Sequence, residues 1–350
     1  MIRAPMNHPG HSSNFRPPRT AGGSSRRFLF PPTMGLLALT LLIASPLEAQ
    51  GNLQSFVDNL MSGRRGAAIV SNPASGEVLA VWNAKVVFGR AFPPGSTAKV
   101  VEAAALLEEG KVKPAEGVYC RRVPELLGES HHCSHPHVGF AFNLQTALAY
   151  SCNYFFSAMS VRLPASSLAH WYSVFGFGTP VEGWDSKANP GRVRVPEDAR
   201  RKARAALGEG TVLATPAQLL LAYSAVATRG KVFRLRKPGK RGEDPPRLLR
   251  ELELKPETFD VLNDGLEECV RLGTCQAAAV SGIRVAGKTG TATALDGTGA
   301  THAWFVGYAP ADSPEIAVVV FLERGTGARV AAPLAGEILR HYFQSRGRKP

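Results

Sequence analysis

Short apolar runs separated by turn residues predict strands at both ends of the chain's main body. Residues 67–70 (AAIV) and 77–82 (EVLAVW) are two strand-like runs, and NPASG at 72–76 joins them. Asn, Pro and Gly are typical turn residues, so the two runs predict an antiparallel hairpin. Near the carboxyl end, three more apolar runs predict strands at 283–294, 302–309 and 315–323.

Helical spacing of apolar residues is the main pattern between and after these strands. It predicts helices at 96–110, 144–150, 154–159, 215–228, 256–271 and 331–343. Residues 111–142 and 229–250 lack this spacing and are interpreted as loops. The second loop is predicted to be exposed because nine of its residues are basic. Strands with many helices between them predict an α/β domain, in which an antiparallel sheet is flanked by helices.

The net charge of +13 lies mostly outside the predicted domain core. Basic residues are concentrated at 1–33, 229–250 and 346–350, and the remaining residues sum to nearly zero. A nucleic-acid-binding protein carries its basic charge on one face of the folded body. The charge distribution therefore predicts no nucleic-acid partner.

The first 50 residues have the features of a targeting segment. Residues 1–33 are rich in Pro, Gly, Ser and Arg, and an apolar run of eleven residues follows, Met34 to Ala44. This length matches the apolar core of a signal peptide and is short for a bilayer core of about 30 Å. We expect an exported, periplasmic protein in which residues 1–50 are a signal peptide or an inner-membrane anchor. Residues 51–65 are interpreted as a linker, 66–345 as the folded domain and 346–350 as a basic tail.

Ser96 and Lys99 lie three residues apart at a predicted helix start. Pro94 and Gly95 interrupt the chain just before them. Residues at this spacing share a helix face. The positive end of the helix dipole favours a serine alkoxide and disfavours a second positive charge nearby. The pair is a candidate nucleophile and general base, although a capped helix with a surface lysine gives the same pattern.

Two later motifs offer groups for proton relay and for substrate binding. SCN at 151–153 lies between two predicted helices, and its hydroxyl and amide suit a proton relay and a peptide contact. KTGT at 288–291 ends a strand-like run. There the lysine can direct charge at a carboxylate, the glycine leaves room for it, and the threonines donate hydrogen bonds. Taken singly, the motifs fit equally a polar break between helices and an edge strand with a solubilising lysine.

The three motifs follow one another in a specific order, beginning at Ser96, Ser151 and Lys288. Together they resemble the transpeptidase domain of penicillin-binding proteins, most closely the monofunctional class B enzymes. Similar segments along the chain are PPGSTAKV, ALAYSCNYFF, FGFGTP, GEGTVLATPAQLLLAYSAVATRGK, GKTGTA and HAWFVGYAP. The resemblance covers roughly residues 66–345 and implies the fold that β-lactamases and transpeptidases share.

The resemblance implies a peptidoglycan D,D-transpeptidase that cross-links stem peptides through a serine acyl-enzyme. Ser96 would attack the penultimate D-Ala carbonyl and expel the terminal D-Ala, and Lys99 would act as the base. Ser151 would pass the proton to the leaving amine. β-Lactam antibiotics would acylate Ser96 in place of the stem peptide.

The resemblance also implies the residues that bind the substrate. Asn153 and Lys288 would order the site, while Thr289 and Thr291, with Gly290 between them, would hold the substrate carboxylate. The backbone N–H of Thr291 would form the oxyanion hole with that of the nucleophile. This chemistry needs no cofactor and no metal ion. The expected partners are stem peptides, β-lactams and a membrane glycan polymerase.

Two other functions fit parts of the pattern. A serine β-lactamase shares the fold and the motifs, but no Glu-x-x-Leu-Asn segment of the class A enzymes follows residues 151–153. A penicillin-binding sensor or scaffold without turnover is the second alternative. It is considered because class B enzymes usually carry a long pedestal before the catalytic domain, and only residues 51–65 precede it here.

Five cysteines allow either two disulfides with one free thiol or a metal site. Cys120 with Cys133, and Cys269 with Cys275, are pairs with short loops, and Cys152 is left over. The alternative is a zinc site. It would use Cys120, Cys133 and the nearby His131, His132, His135 and His137. The spacing matches no standard zinc pattern, so both interpretations stay open.

Overall fold

A computed structural model describes residues 46–181, 187–237 and 245–347. The helices of this part are α1 (Pro46–Met61), α2 (Ala84–Gly89), α3 (Lys99–Glu108), α4 (Leu144–Ala149), α5 (Asn153–Met159), α6 (Ala165–Val174), α7 (Ala199–Ala206), α8 (Pro216–Ala227), α9 (Pro256–Arg271) and α10 (Ala332–Gln344). The strands are β1 (Gly66–Ser71), β2 (Val78–Trp82), β3 (Arg192–Val193), β4 (Val212–Leu213), β5 (Lys231–Phe233), β6 (Leu248–Glu251), β7 (Ala286–Thr293), β8 (Thr301–Ala309) and β9 (Ile316–Leu322).

Five strands form one antiparallel sheet in the order β2-β1-β9-β8-β7. The predicted hairpin of β1 and β2 is confirmed, with Ile69 opposite Val81. The last three strands pair in succession, and Lys288 of β7 lies opposite Val306 of β8. β7 is therefore an edge strand of this sheet, and the KTGT motif lies on it. An edge strand can offer backbone hydrogen bonds to an extended peptide.

The side chains of the sheet divide the apolar core into two layers. Ile69 and Val319 belong to the layer that includes α3, α4 and α8, whereas Val70 and Val318 belong to the layer with α1 and α10. Successive residues of a strand point to opposite faces. Both faces of the main sheet are covered by helices, so its strands are apolar almost throughout. The apolar runs at 302–309 and 315–323 agree with this burial.

Residues 51–65, predicted as a linker, are helical as far as Met61, and that prediction is wrong. Leu53, Val57 and Met61 are buried in the layer that α1 shares with α10 and the sheet. Their spacing of four residues places them on one helix face. The physical reason is that this narrow apolar face covers sheet residues that would otherwise meet water.

Residues 229–250, predicted as an exposed loop, include an antiparallel hairpin of β5 and β6. Val232 is fully buried. Arg236 forms an ion pair of 2.9 Å with Glu77, and Arg250 donates a hydrogen bond of 2.8 Å to the Phe175 carbonyl. The apolar stems of such arginines can pack on the core while their heads meet polar partners. Residues 238–244 of this segment lie outside the described residues.

No helix in the described ranges combines the length and apolar character needed to cross a bilayer. The predicted targeting segment lies outside the described residues up to position 45, including the run Met34 to Ala44. Positions 348–350 of the predicted basic tail also lie outside them.

Candidate active site

Ser96 lies on a 3-10 turn, Gly95–Ala98, that leads directly into α3, so the α-helix itself begins only at Lys99. Gly95 has a φ of 55°, a left-handed conformation that glycine adopts readily. A Cβ at this position would lie 2.9 Å from the carbonyl oxygen of Thr291. The glycine therefore allows the turn that carries Ser96 to pack directly against β7.

Gly290 makes the corresponding close approach from the strand. A Cβ on Gly290 would lie 2.8 Å from the Pro94 carbonyl oxygen and 2.9 Å from Cγ2 of Thr97. From the sequence, this glycine is expected to leave room for the substrate carboxylate. In the structure it leaves room for the turn that carries Ser96, so a side chain here would push β7 away from the nucleophile.

Lys99 joins the first motif to the second. Its side chain is fully buried, and Nζ donates hydrogen bonds to Oδ1 of Asn153 (2.6 Å), the carbonyl oxygen of Ser151 (2.8 Å) and Oγ of Ser151 (3.2 Å). Burial lowers the pKa of Lys99 to about 8, although neighbouring thiol and carboxyl groups oppose this shift. A lysine with this pKa is neutral often enough near pH 7 to accept a proton.

Ser151 and Asn153 are brought to this lysine by a sharp turn between α4 and α5. Ser151 has a φ of 57°, which is costly for a residue with a side chain and often marks a functional site. The Asn153 amide also donates a hydrogen bond of 3.1 Å to the His131 carbonyl. The His131 ring in turn lies 3.1 Å from the Glu209 carboxylate. The second motif is thus fixed by contacts from two other segments.

Lys288 lies inside the protein. Its side chain is fully buried, and Nζ donates a hydrogen bond of 3.2 Å to the carbonyl oxygen of Thr289. Burial, and secondly the charge of Lys99, lower the pKa of Lys288 well below its usual range. A buried amine bonded to a backbone carbonyl suits the ordering of the site better than the long-range attraction of an anion.

The two threonines of the third motif have different surroundings. Thr289 is buried, and its Oγ1 lies 2.6 Å from Oγ1 of Thr274. Thr291 is exposed, and its Oγ1 accepts a hydrogen bond of 3.1 Å from the Gly327 N–H. The loop before β7 and the segment after β9 therefore both touch the motif through its hydroxyl groups.

A cleft of about 490 Å³ brings the motifs together. Of the predicted site residues, it is lined by Ser96, Ser151, Asn153, Thr289 and Thr291. Lys99 lies behind this wall, bonded to two of its members. A nucleophile, a base with a lowered pKa and a hydroxyl relay in one cleft form an arrangement suited to acyl transfer.

The model of the penicillin-binding protein transpeptidase domain matches residues 66–340. The chain belongs to this family. The match spans all three motifs and the whole five-stranded sheet. The fold class predicted from the sequence, an α/β domain of the β-lactamase and transpeptidase type, is confirmed.

Several curated proteins are similar in sequence to this transpeptidase domain. The chain is 26% identical over 365 residues to the peptidoglycan D,D-transpeptidase MrdA of Acinetobacter baumannii, covering 87% of this chain and 54% of the relative. It is 30% identical over 327 residues to the stage V sporulation protein D of Bacillus subtilis, covering 81% and 50%. The chain therefore spans about half the length of these curated relatives.

Solved structures give the same fold. The transpeptidase domain of Burkholderia pseudomallei penicillin-binding protein 3 superposes with a TM-score of 0.73 at 24% identity, covering 86% of this chain and 94% of that one. Pseudomonas aeruginosa PBP2, in complex with WCK 5153, has a TM-score of 0.72 at 27% identity, with 83% and 77% covered.

Sequence reasoning missed half of the cleft lining of this transpeptidase domain. The missed residues are Ser134, Thr274, Thr326, Ala328 and Arg329. Thr274 lies between Cys269 and Cys275. Their predicted pairing indicates that the loop that carries Thr274 is held in place. The other four lie in segments without a recognisable motif, and only tertiary contacts bring them to the cleft.

One of the two predicted cysteine pairs is bonded. Cys269 and Cys275 form a disulfide, which confirms that pairing. The disulfide between Cys120 and Cys133, one of the two interpretations left open by the sequence, is absent, since their Sγ atoms lie 3.6 Å apart. A third thiol is close by: Cys133 Sγ also lies 3.8 Å from Cys152 Sγ and accepts a hydrogen bond from the Tyr154 N–H.

These three thiols and one imidazole form a compact donor cluster. The ligand atoms of Cys120, Cys133, His135 and Cys152 all lie within 4.8 Å of one another. The hydrogen bond from the Cys152 thiol holds the pKa of Cys133 well below its usual range. Within the described residues this is the set that could hold a metal ion, and soft sulfur and nitrogen donors suit zinc. It includes Cys152 and omits three of the histidines considered from the sequence, His131, His132 and His137.

Proposed function

We propose that this chain is a peptidoglycan D,D-transpeptidase that cross-links stem peptides through an acyl-enzyme on Ser96. The observation that carries the proposal is the buried Lys99 amine, which binds both Ser151 and Asn153 behind the cleft that Ser96 lines. The names of the curated relatives MrdA of A. baumannii and FtsI of Escherichia coli, both peptidoglycan D,D-transpeptidases, support it.

Acylation begins when the neutral amine of Lys99 takes the proton of Ser96. The Ser96 oxygen then bonds to the penultimate D-Ala carbonyl carbon, and the backbone N–H groups of Ser96 and Thr291 stabilise the oxyanion. The C–N bond to the terminal D-Ala breaks, and its nitrogen receives a proton through the Ser151 hydroxyl. The terminal D-Ala leaves with its carboxylate, which Thr289 and Thr291 bind.

The second half-reaction restores the enzyme. The amine of a second stem peptide attacks the ester carbon and loses a proton to the same base. The cross-linking amide forms as the Ser96 oxygen leaves and takes that proton back from Lys99. Because a β-lactam leaves no separate amine product, its acyl-enzyme keeps the leaving group tethered. We expect penicillins to remain on Ser96 for far longer than a stem peptide.

Mass spectrometry of the penicillin-treated protein tests this proposal. We expect one added penicillin mass, located on the peptide that contains Ser96, and no addition to Ser96→Ala. Ser345→Ala is the matched control because its hydroxyl donates a hydrogen bond to the Tyr342 carbonyl in the terminal helix region and does not line the cleft. Labelling of Ser96→Ala at the wild-type rate would show that another residue is the nucleophile.

The lifetime of the adduct distinguishes this function from a serine β-lactamase. A transpeptidase should keep the penicillin mass over many minutes, whereas a β-lactamase should release hydrolysed penicillin and return to its unmodified mass. Rapid turnover with full recovery of the free enzyme would contradict the transpeptidase proposal.

We propose further that the chain acts outside the cytoplasm, next to a membrane glycan polymerase. The support is the sequence of residues 1–50, whose basic region and apolar run resemble an export signal. A polymerase must supply the glycan strands that carry the stem peptides. Fractionation of cells that express a tagged full chain tests the location, and recovery in the cytosolic fraction alone would contradict it.

A further inference from the structure

The catalytic cleft carries an unbalanced positive charge. Its lining among the described residues consists of hydroxyl groups, one amide, one alanine and one arginine, Arg329, with no carboxylate. Arg329 is exposed, and its guanidinium has no hydrogen-bond or ion-pair partner within the described part of the chain. An unpaired guanidinium in a cleft suits the binding of a carboxylate, because its planar fork can form two parallel hydrogen bonds.

The two lysines of the site do not supply this charge. Lys99 and Lys288 are fully buried, and their amines donate to protein oxygens behind the cleft wall. Burial also lowers the pKa of both amines. Arg329 is therefore the permanently charged cation of the cleft.

The segment that carries Arg329 is held against the carboxylate-binding strand. It forms a π-helical turn, Gly327–Ala331, in the connection between β9 and α10. The Gly327 N–H donates a hydrogen bond of 3.1 Å to Oγ1 of Thr291. A Cβ on Gly327 would lie 2.5 Å from the Gly290 carbonyl oxygen, so the backbones are in close contact. This contact fixes the backbone of the turn that carries Arg329 relative to Thr291.

We propose that Arg329 binds the carboxylate of the terminal D-Ala, and the corresponding carboxylate of penicillins, together with Thr289 and Thr291. The inference rests on the proposed transpeptidase function and adds a specificity-determining residue to it. The sequence motif assigned the attraction of this anion to Lys288. The geometry assigns it instead to an exposed residue outside all three motifs.

The test compares acylation of the full chain by penicillin and by a neutral thioester substrate whose carboxylate is methylated. The variants are Arg329→Gln, Arg329→Lys and the matched control Arg324→Gln. Arg324 is exposed in the same connection but lines a different cleft, with Arg65 and Arg90. Rates measured over a range of penicillin concentrations separate the binding constant from the acylation step.

We expect Arg329→Gln to weaken penicillin binding about tenfold, as for loss of a partly exposed charged hydrogen bond, and to leave the acylation step within about threefold. Added salt should weaken the wild-type reaction toward that of the variant. Arg329→Lys should recover part of the loss, Arg324→Gln should stay within about twofold, and the neutral thioester should react equally with every variant.

Two results would overturn the inference while the proposed function stands. In the first, Arg329→Gln reacts with penicillin at the same concentration dependence as the wild type. In the second, Arg329→Gln loses reactivity equally with penicillin and with the neutral thioester. A wild-type protein that acquires no penicillin on Ser96 would overturn the proposed function itself, and the inference with it.

Discussion

At the residue scale, the site depends on how burial changes the chemistry of two lysines. Lys99 and Lys288 are fully buried in a region whose hydrogen-bond acceptors are neutral carbonyl, hydroxyl and amide oxygens. Desolvation disfavours the charged form of a lysine, so both pKa values are lowered. Lys99, with a pKa of about 8, is mostly protonated at neutral pH, and only its smaller neutral fraction can act as a base.

The lowered pKa of Lys99 predicts how acylation depends on pH. Because the neutral amine is the base, the rate of penicillin acylation should rise as pH increases, with a midpoint near pH 8, and level off above it. A stopped-flow profile between pH 6 and 9.5 checks this.

The Lys99→Ala variant is the control for that profile. It should lose the midpoint and react about 10²–10⁴-fold more slowly, because the general base is gone. A flat wild-type profile, or a midpoint retained in Lys99→Ala, would show that another group controls the proton transfer.

Several site residues could be read from the sequence because their spacing has a direct chemical meaning. Ser96 and Lys99 share one helical turn, and 288–291 lie on one strand. Thr274 and Arg329 could not be read, because they reach the cleft only through packing of distant loops against β7. The sequence places Gly290 in the site correctly but explains it by room for the substrate carboxylate. In the structure the space beside Gly290 is needed by the turn that carries Ser96, which is distant in sequence.

At the element scale, periodicity predicted the main sheet and most of the helices, the short α4 and α5 among them, and missed α1, α2, α6 and α7. The five strands of the main sheet and helices α8, α9 and α10 lie where the apolar pattern placed them. α2 and α7 have six and eight residues, so each spans only about two turns in which an apolar period can show. α1 was missed because polar residues are interspersed among its apolar ones, although its buried face repeats every four residues.

The packing of α1 predicts that this helix is part of the folded domain. Met61→Ala removes a fully buried side chain and leaves a cavity beneath the helix. We expect it to lower the free energy of unfolding by about 2–5 kcal/mol. Asn59→Ala, on the exposed face of the same helix, should change it by less than about 0.5 kcal/mol.

Urea denaturation of the two variants and the wild type measures this difference. Equal free energies of unfolding for Met61→Ala and Asn59→Ala would contradict the packing of α1. Residues 51–65 would then be a linker, as the sequence predicts.

At the scale of the whole molecule, the basic charge of the β5–β6 hairpin is separated from the catalytic cleft. Exposed basic residues of the β5–β6 hairpin, such as Lys231, Arg234 and Arg247, lie outside the lining of the catalytic cleft. Arg236 and Arg250 of the same hairpin are half-buried and hold the fold together through Glu77 and the Phe175 carbonyl. One basic segment thus contains both surface and structural charges.

This division predicts the effect of neutralising charge in the hairpin. The triple variant Lys231→Gln, Arg234→Gln, Arg247→Gln should acylate Ser96 at a rate within about twofold of the wild type. Arg250→Gln alone should lower the melting temperature. It leaves the Phe175 carbonyl without its hydrogen-bond donor and the space beside Gly176 partly empty. A large loss of acylation in the triple variant, with normal stability, would mean that the hairpin shapes the cleft.

Release of D-Ala from a stem pentapeptide ending in D-Ala-D-Ala tests the central claim most directly. With the purified full chain, the account predicts D-Ala release together with peptide dimers, one D-Ala for each cross-link, and neither product from Ser96→Ala. If the wild-type protein acquired penicillin on Ser96 but released no D-Ala and formed no dimer, it would be a penicillin-binding sensor or scaffold, and the transpeptidase account would be contradicted.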